Sequence, residues 1–202
     1  MALIQVDDKF YKKLNKYGIF IPIIEIDGRD HILFELRSKI VSQPGEVSFP
    51  GGSLEPGENF KQAAIRETME ELNLFEKDIE YLGYASMILN DSRLIKSFYG
   101  KIKKDFNLIK YNLEVESIFA IDIDFFINNP PSKYTAKLNM DFPKDFPFEK
   151  IPNGENYNFT SRFHTMYFYD TDPVIWGLTA KILKEFIENK FMTKKWLFYG
   201  KI

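Results

Sequence analysis

The chain has 202 residues, 45% of them apolar and 16% aromatic, with 20 phenylalanines, so material for a sizeable core is present. Its formal net charge is −2, from 27 basic and 29 acidic residues, a balance that demands neither a nucleic-acid nor a membrane partner. There is no cysteine, which excludes disulfides, thiolate catalysis and cysteine-based zinc sites.

The first eight residues lack a basic region ahead of an apolar run. No apolar stretch approaches the roughly 20 residues of a membrane span. The expectation is a soluble cytoplasmic protein forming one domain over residues 1–202.

In chain order, residues 7–16 read as a short helix with Phe10, Tyr11 and Leu14 as apolar contacts. Residues 18–26, rich in Ile and Phe, read as a strand. Asp27-Gly28-Arg29-Asp30 forms a tight turn and residues 31–37 return, which predicts a hairpin. Residues 42–45 are a loop, and 46–49 a short strand ended by Pro50-Gly51-Gly52, where glycine permits backbone angles that other residues avoid. The spacing predicts a helix over 60–72, a strand pair over 78–89 and 93–102 turning at Asn90-Asp91, and a further strand over 115–123.

Residues 128–158 hold Pro130, Pro131, Pro143, Pro147, Pro152 and Gly154, and read as a loop or excursion rather than a linker between domains. Residues 161–169 are a predicted strand. Asp172 and Pro173 fit the N-cap and first position of a helix running from 174 to about 190, with Ile175, Leu178, Thr179, Ile182 and Phe186 at helical spacing. Residues 195–202 are read as a short strand. The chain has no internal repeat and no low-complexity tract.

The chemistry concentrates in Arg66-Glu67-Thr68-Met69-Glu70-Glu71, just downstream of Phe49-Pro50-Gly51-Gly52. At about 100° per residue, Ile65, Met69 and Leu72 make one apolar stripe and Glu67, Glu70 and Glu71 fall on the opposite side. Three carboxylates on one face repel one another. A hard divalent cation reverses that cost, since Mg2+ takes carboxylate oxygens and substrate phosphates together. His31 and His164 are each alone and read as ordinary strand histidines.

Gly52, five residues, Glu58, seven residues, Arg66-Glu67, two residues, Glu70-Glu71, one residue, Asn73-Leu74 resembles the Nudix box over positions 52–74. Six of its seven polar or glycine identities are kept. Asn73 stands where glycine is usual, a mild departure because Asn tolerates the left-handed backbone of helix ends. The resemblance implies a Nudix α/β/α sandwich with a mixed β-sheet between helices, and hydrolysis of a nucleoside diphosphate linked to another group. It implies Mg2+ or Mn2+ held by Glu67, Glu70 and Glu71, with the backbone carbonyl of Gly51 as a further ligand. Glu67 is the favoured base among carboxylates whose roles vary within the family. Arg66 pairs with Glu70 and orients it, and Glu58 braces the loop or Arg66.

Leu33, Arg37, Gly45 and the run Phe49 to Gly52 are similar to an extra motif of the coenzyme A pyrophosphatase subfamily, which places Arg37 and Gly52 beside the substrate. The chain departs from it at Glu35, where Thr is usual, and at Val41, where Arg is often found. Glu114 to Phe119 is similar to the strand after the catalytic helix of that subfamily, and Trp176-Gly177-Leu178-Thr179-Ala180 to its C-terminal helix. Lys39, Arg93, Lys96 and Arg162 are candidates for phosphate contacts, and the aromatics for adenine stacking. The implied substrate is coenzyme A or an acyl-CoA. ADP-ribose or another nucleoside diphosphate derivative, and a non-catalytic nucleotide-binding module, remain as alternatives. Homodimerisation, frequent in such chains, has no residue-level support.

Overall fold

The computed structural model describes residues 8–90, 92–160 and 162–192. Helix α1 (Asp8–Lys13) ends earlier than predicted, because strand β1 (Asn15–Ile26) already begins at Asn15. β1 and β2 (Arg29–Arg37) form the expected hairpin, with Ile26 opposite Arg29. Asp27 and Gly28 both have positive φ, 50° and 73°, as a two-residue hairpin loop requires. Strands β3 (Val47–Ser48) and β4 (Gly51–Ser53) flank the Pro50 corner, and helix α2 (Phe60–Glu71) follows. Then come β5 (Ile79–Leu89), β6 (Arg93–Ile102), β7 (Val115–Asp122), helix α3 (Ile123–Asn128), β8 (Ser132–Leu138), β9 (Arg162–Tyr169), β10 (Ile175–Trp176) and helix α4 (Gly177–Ile187).

The main sheet runs β3-β2-β1-β6-β5, with β4 on β1 and β7 on β2. Its β1–β6 pair is parallel and its other pairs antiparallel, so the sheet is mixed as expected. Side chains alternate between its two faces. Phe20, Ile24, Leu33, Leu94 and Phe98 pack with Phe60, Ala64 and Leu72 on the α2 side. Ile21, Ile23, Ile32, Phe34 and Ile95 pack with Ile182, Leu183 and Phe186 on the α4 side. Phe34 anchors that second layer, with its ring 5.0 Å from Phe49, 5.4 Å from Phe119 and 5.9 Å from Phe126. The result is an α/β/α sandwich.

Three expectations are corrected. The 128–158 segment is not wholly irregular: β8 pairs antiparallel with β9, and β9 with β10, in a second sheet of three strands. The stretch beyond it is held by its own rings, with Phe142 within 4.6–5.3 Å of Phe146, Phe148 and Phe159. Asp172-Pro173 is not a helix start. Thr171 Oγ1 donates to Pro173 O at 2.8 Å and accepts from Ile175 N at 3.2 Å, and Ile175 and Trp176 pair with Tyr169 and Phe168. The helix begins only at Gly177. The predicted strand over 195–202 lies outside the described residues, as do Asp7, Asp91 and Ser161.

The third correction concerns α2. Its buried residues are Phe60, Ala63, Ala64, Thr68 and Glu71, while Ile65 and Met69 are only half-buried. Where α2 crosses Gly18 of β1, only small side chains fit between. A Cβ on Gly18 would overlap the carbonyl oxygen of Phe60 and stand 2.7 Å from Ala64 N. Gly18→Ala is therefore expected to destabilise by about 1–3 kcal/mol through forced displacement of α2. Gly28→Asn, at a turn position with open space, leaves the chemical-denaturation midpoint nearly unchanged. Equal midpoints for the two variants would contradict this packing.

Candidate active site

Local chemistry fixes both ends of α2. Asn59 caps it, its Oδ1 accepting from Lys61 N at 3.0 Å and Gln62 N at 3.1 Å, while Gln62 Oε1 accepts from Asn59 N at 2.9 Å. At the other end Asn73 takes a left-handed backbone, φ 47°, and Leu74 N donates to Met69 O at 3.0 Å. Asn73 thus does what the usual glycine would do.

The glycine loop is pressed between β1 and α2. Gly51 lies opposite Ile19 and Gly52 opposite Gly18. A Cβ at Gly51 would come within 2.5 Å of Gly18 O, and one at Gly52 would overlap the carboxylate of Glu67. Gly51 meets the helix through its N–H, which donates to Glu71 Oε2 at 2.9 Å.

The glutamates are not equivalent. Arg66 gathers three carboxylates. Its Nε and Nη2 grip Glu58 at 2.8 and 3.2 Å, its Nη1 reaches Glu67 Oε1 at 2.9 Å and Glu70 Oε2 at 3.2 Å, and Nη2 also donates to Ser53 O at 3.1 Å. Glu58 Oε2 in turn accepts from Glu55 N at 3.0 Å, so Glu58 braces both the loop and Arg66. Glu70 is half exposed, Glu67 is largely covered, and Glu71 is 7% exposed. Among the described residues no three of these acids converge as a ready-made cage: Glu58, Glu67 and Glu70 turn to Arg66, and Glu71 to the Gly51 N–H.

The electrostatics follow position. Hydrogen bonds from Arg66, then from Glu55 N, hold the Glu58 carboxyl below the ordinary range. Burial pushes Glu67 up, partly offset by Arg66. Burial pushes Glu71 up to about 8; Gly51 N–H opposes this and Glu67 and Glu114 reinforce it. Glu35, on β2 and 2% exposed, is also raised by burial and then by Glu71.

Glu35 and Glu114 belong to this acidic group and were not selected from the sequence. The available signal was a charged residue in the apolar strand Ile32-Leu33-Phe34-Glu35-Leu36, at a position where the resembling motif has Thr.

On the α4 face, a cavity of about 480 Å3 opens beside Gly51 and Gly52 and is lined by Tyr17, Arg37, Arg93, Trp176 and Thr179 among others. Arg37 is tied to Ser42 through Nε–O at 2.8 Å and Nη2–Oγ at 3.3 Å. Arg93 lies 6.0 Å from the Tyr17 ring centroid. Trp176 is a strand residue here, stacked 5.7 Å from Phe168. Thr179 Oγ1 donates to Val47 O at 2.9 Å, joining α4 to β3. Lys96 points to the other face, 4.7 Å from the Phe60 ring centroid, and Lys39 is exposed. Arg162 pairs with Leu138 in the second sheet. His31 is buried with Nδ1 3.0 Å from Arg29 O, and His164 is an exposed strand residue.

The NUDIX domain model matches residues 16–99. Nudix hydrolase 3 of Caenorhabditis elegans is 29% identical over 176 residues, covering 83% of this chain and 70% of the relative. The mouse peroxisomal coenzyme A diphosphatase NUDT7 is 28% identical over 135 residues, covering 65% and 56%. The C. elegans peroxisomal coenzyme A diphosphatase ndx-8 is 32% identical over 120 residues, covering 55% and 50%. The chain spans only about half the length of the latter two. The solved structure of a C. elegans Ap4A hydrolase binary complex is similar at TM-score 0.48 and 20% identity, over 57% of this chain and 85% of that one.

Two outcomes are expected here. In a folded chain that keeps the Glu71 proton after the unfolded chain has released it, stability falls as pH rises. The window runs from the ordinary value of 4.5 to about 8. Melting temperatures in chelator should decline through that window, and Glu71→Gln should flatten the decline; an equally steep profile in the variant would contradict the burial assignment. Gly52→Ala should leave the melting temperature within a few degrees, because the flexible end of Glu67 can swing away, yet weaken Mn2+ binding measured calorimetrically.

Proposed function

We propose, from the premise that the chain is a Nudix-superfamily protein, that it hydrolyses the diphosphate bridge of coenzyme A or an acyl-CoA. The products are adenosine 3′,5′-bisphosphate and a 4′-phosphopantetheine. The observation that carries this is the juxtaposition at Gly51-Gly52: buried carboxylates on the α2 side, and a cavity with Arg37 and Arg93 on the α4 side. Resemblance to coenzyme A diphosphatases supports the substrate.

The donors suit a hard divalent cation such as Mg2+ or Mn2+. Glu67 and Glu71 offer only oxygen, and burial leaves Glu71 in need of a counter-charge. Glu67 and Glu71 would hold the ion, with Glu70 and Gly51 beside them. Bound there, it would neutralise phosphate oxygens and acidify the attacking water. Arg66 keeps Glu67 oriented, and Glu67, at the rim of the buried patch, accepts the proton of the incoming water. One water P–O bond forms as the bridging P–O bond breaks. Arg37 and Arg93 suit phosphate oxygens, and Tyr17 and Trp176 offer rings for a base to stack on.

Glu67→Gln should lower kcat by about 10²- to 10⁴-fold with little change in melting temperature. Unchanged turnover would show that the metal is held elsewhere, and no turnover by the wild type on any diphosphate would favour a nucleotide-binding module. In a panel of diphosphates with Mg2+, coenzyme A should be cleaved fastest. Rapid cleavage of ADP-ribose with none of coenzyme A would overturn the substrate. Glu35 and Val41, which stand where the coenzyme A motif has Thr and often Arg, are the observations favouring that second substrate class.

A further inference from the structure

Two buried oxygens in the α2 layer have no hydrogen-bond partner among the described residues: Oε1 of Glu35 and Oγ of Ser48. They belong to directly opposed residues, Glu35 on β2 and Ser48 on β3, so their side chains share a face of the sheet. Leu33, two residues before Glu35, packs with Leu72 of the α2 layer, and Ile118, opposite Glu35 on β7, packs there too. Glu35 therefore points toward the C-terminal end of α2, where Glu71 is buried. Of the charged groups around Glu35, Glu71 acts on it most strongly, followed by Arg37, Glu114 and Glu67.

Such an arrangement is unfavourable by itself. Two acids are removed from water within one layer, and the Glu35 oxygen lacks the hydrogen bond that would compensate its burial. Arg37, the cation acting on both, has its Nε committed to Ser42. A structural role would show a donor on that oxygen. A hard cation supplies what is missing, because it accepts carboxylate and hydroxyl oxygens alike.

We propose, resting on the metal-dependent reading of this site, that Glu35 is a ligand outside the glutamate helix, sharing a divalent cation with Glu71, with Ser48 Oγ as a neighbouring oxygen donor. Removing Glu35 then has opposite effects in the two states of the protein. Without the ion it removes a buried oxygen that has no hydrogen-bond partner; with the ion it removes a ligand.

The test is Mn2+ binding to the full chain, followed by electron paramagnetic resonance of the free ion and by the rise in melting temperature that Mn2+ produces. Wild type, Glu35→Gln, Glu35→Thr and Glu67→Gln are compared. Both Glu35 variants should bind Mn2+ at least about tenfold more weakly, show a smaller Mn2+-induced rise, and melt in chelator at or above the wild-type temperature. Wild-type Mn2+ affinity in both Glu35 variants, alongside lost binding in Glu67→Gln, would overturn the role of Glu35 and leave the metal-dependent reading standing. Melting well below wild type in chelator for both variants would also overturn it, by showing that Glu35 is structural. Absence of saturable Mn2+ binding by wild type would overturn both.

Discussion

The closeness of one helix to one strand governs this molecule. Gly18 on β1 has no side chain, and Ala63 and Ala64 on α2 have almost none, so the two backbones approach until a single added methyl group would collide. At that crossing no long side chain fits between helix and strand, and the larger apolar residues Phe60 and Leu72 pack to either side of it. The helix turns until its small residues face inward, and Glu71 turns inward with them. A carboxylate enters the protein interior because of a packing constraint on its neighbours, and the Gly51 N–H is there to meet it.

From that constraint a gradient of charge environments follows across a few ångströms. Glu70 remains with Arg66 at the water-facing side, Glu58 and Glu67 sit at the border, and Glu71 and Glu35 lie within. One guanidinium organises the outer half of the gradient, and among the described residues none reaches as closely into the inner half. Nearly identical side chains therefore acquire different proton affinities from position alone. That asymmetry suits chemistry in which one acid must stay charged, another must take up a proton, and others must wait for an ion.

Much of the outline was legible in the sequence. Alternation and turn residues located β5, β6 and β7 to within a residue at each end and β1 and β2 to within three, and Asn73 was recognisable as a residue able to stand in for glycine. Legibility ended where a long-range contact overrides a local preference. Of the Ile65–Met69–Leu72 stripe, Leu72 is buried and Ile65 packs at the core's edge, but Ala63, Ala64, Thr68 and Glu71 are buried too, a strip selected by Gly18 more than forty residues earlier. Asp172-Pro173 had the composition of a helix start, yet Thr171 and the pairing of Ile175 with Tyr169 extend the chain there. β8 was hidden among prolines because its partner, β9, lies beyond the intervening excursion. Glu35 was noticed only as a departure from a motif, since nothing local distinguishes an acid buried in a strand from one on its edge.

The hydrogen bond from Thr179 to Val47 has a mechanical consequence. It clasps the helix walling the cavity to the strand that leads into the glycine corner, so these parts move as one body. For a ligand seated between Tyr17 and Trp176, the span from its anchored end to the carboxylates is then set by the protein, as a caliper sets a gap. On the proposed function, discrimination would rest on where along the ligand the diphosphate falls, and a tail projecting past the mouth would escape measurement.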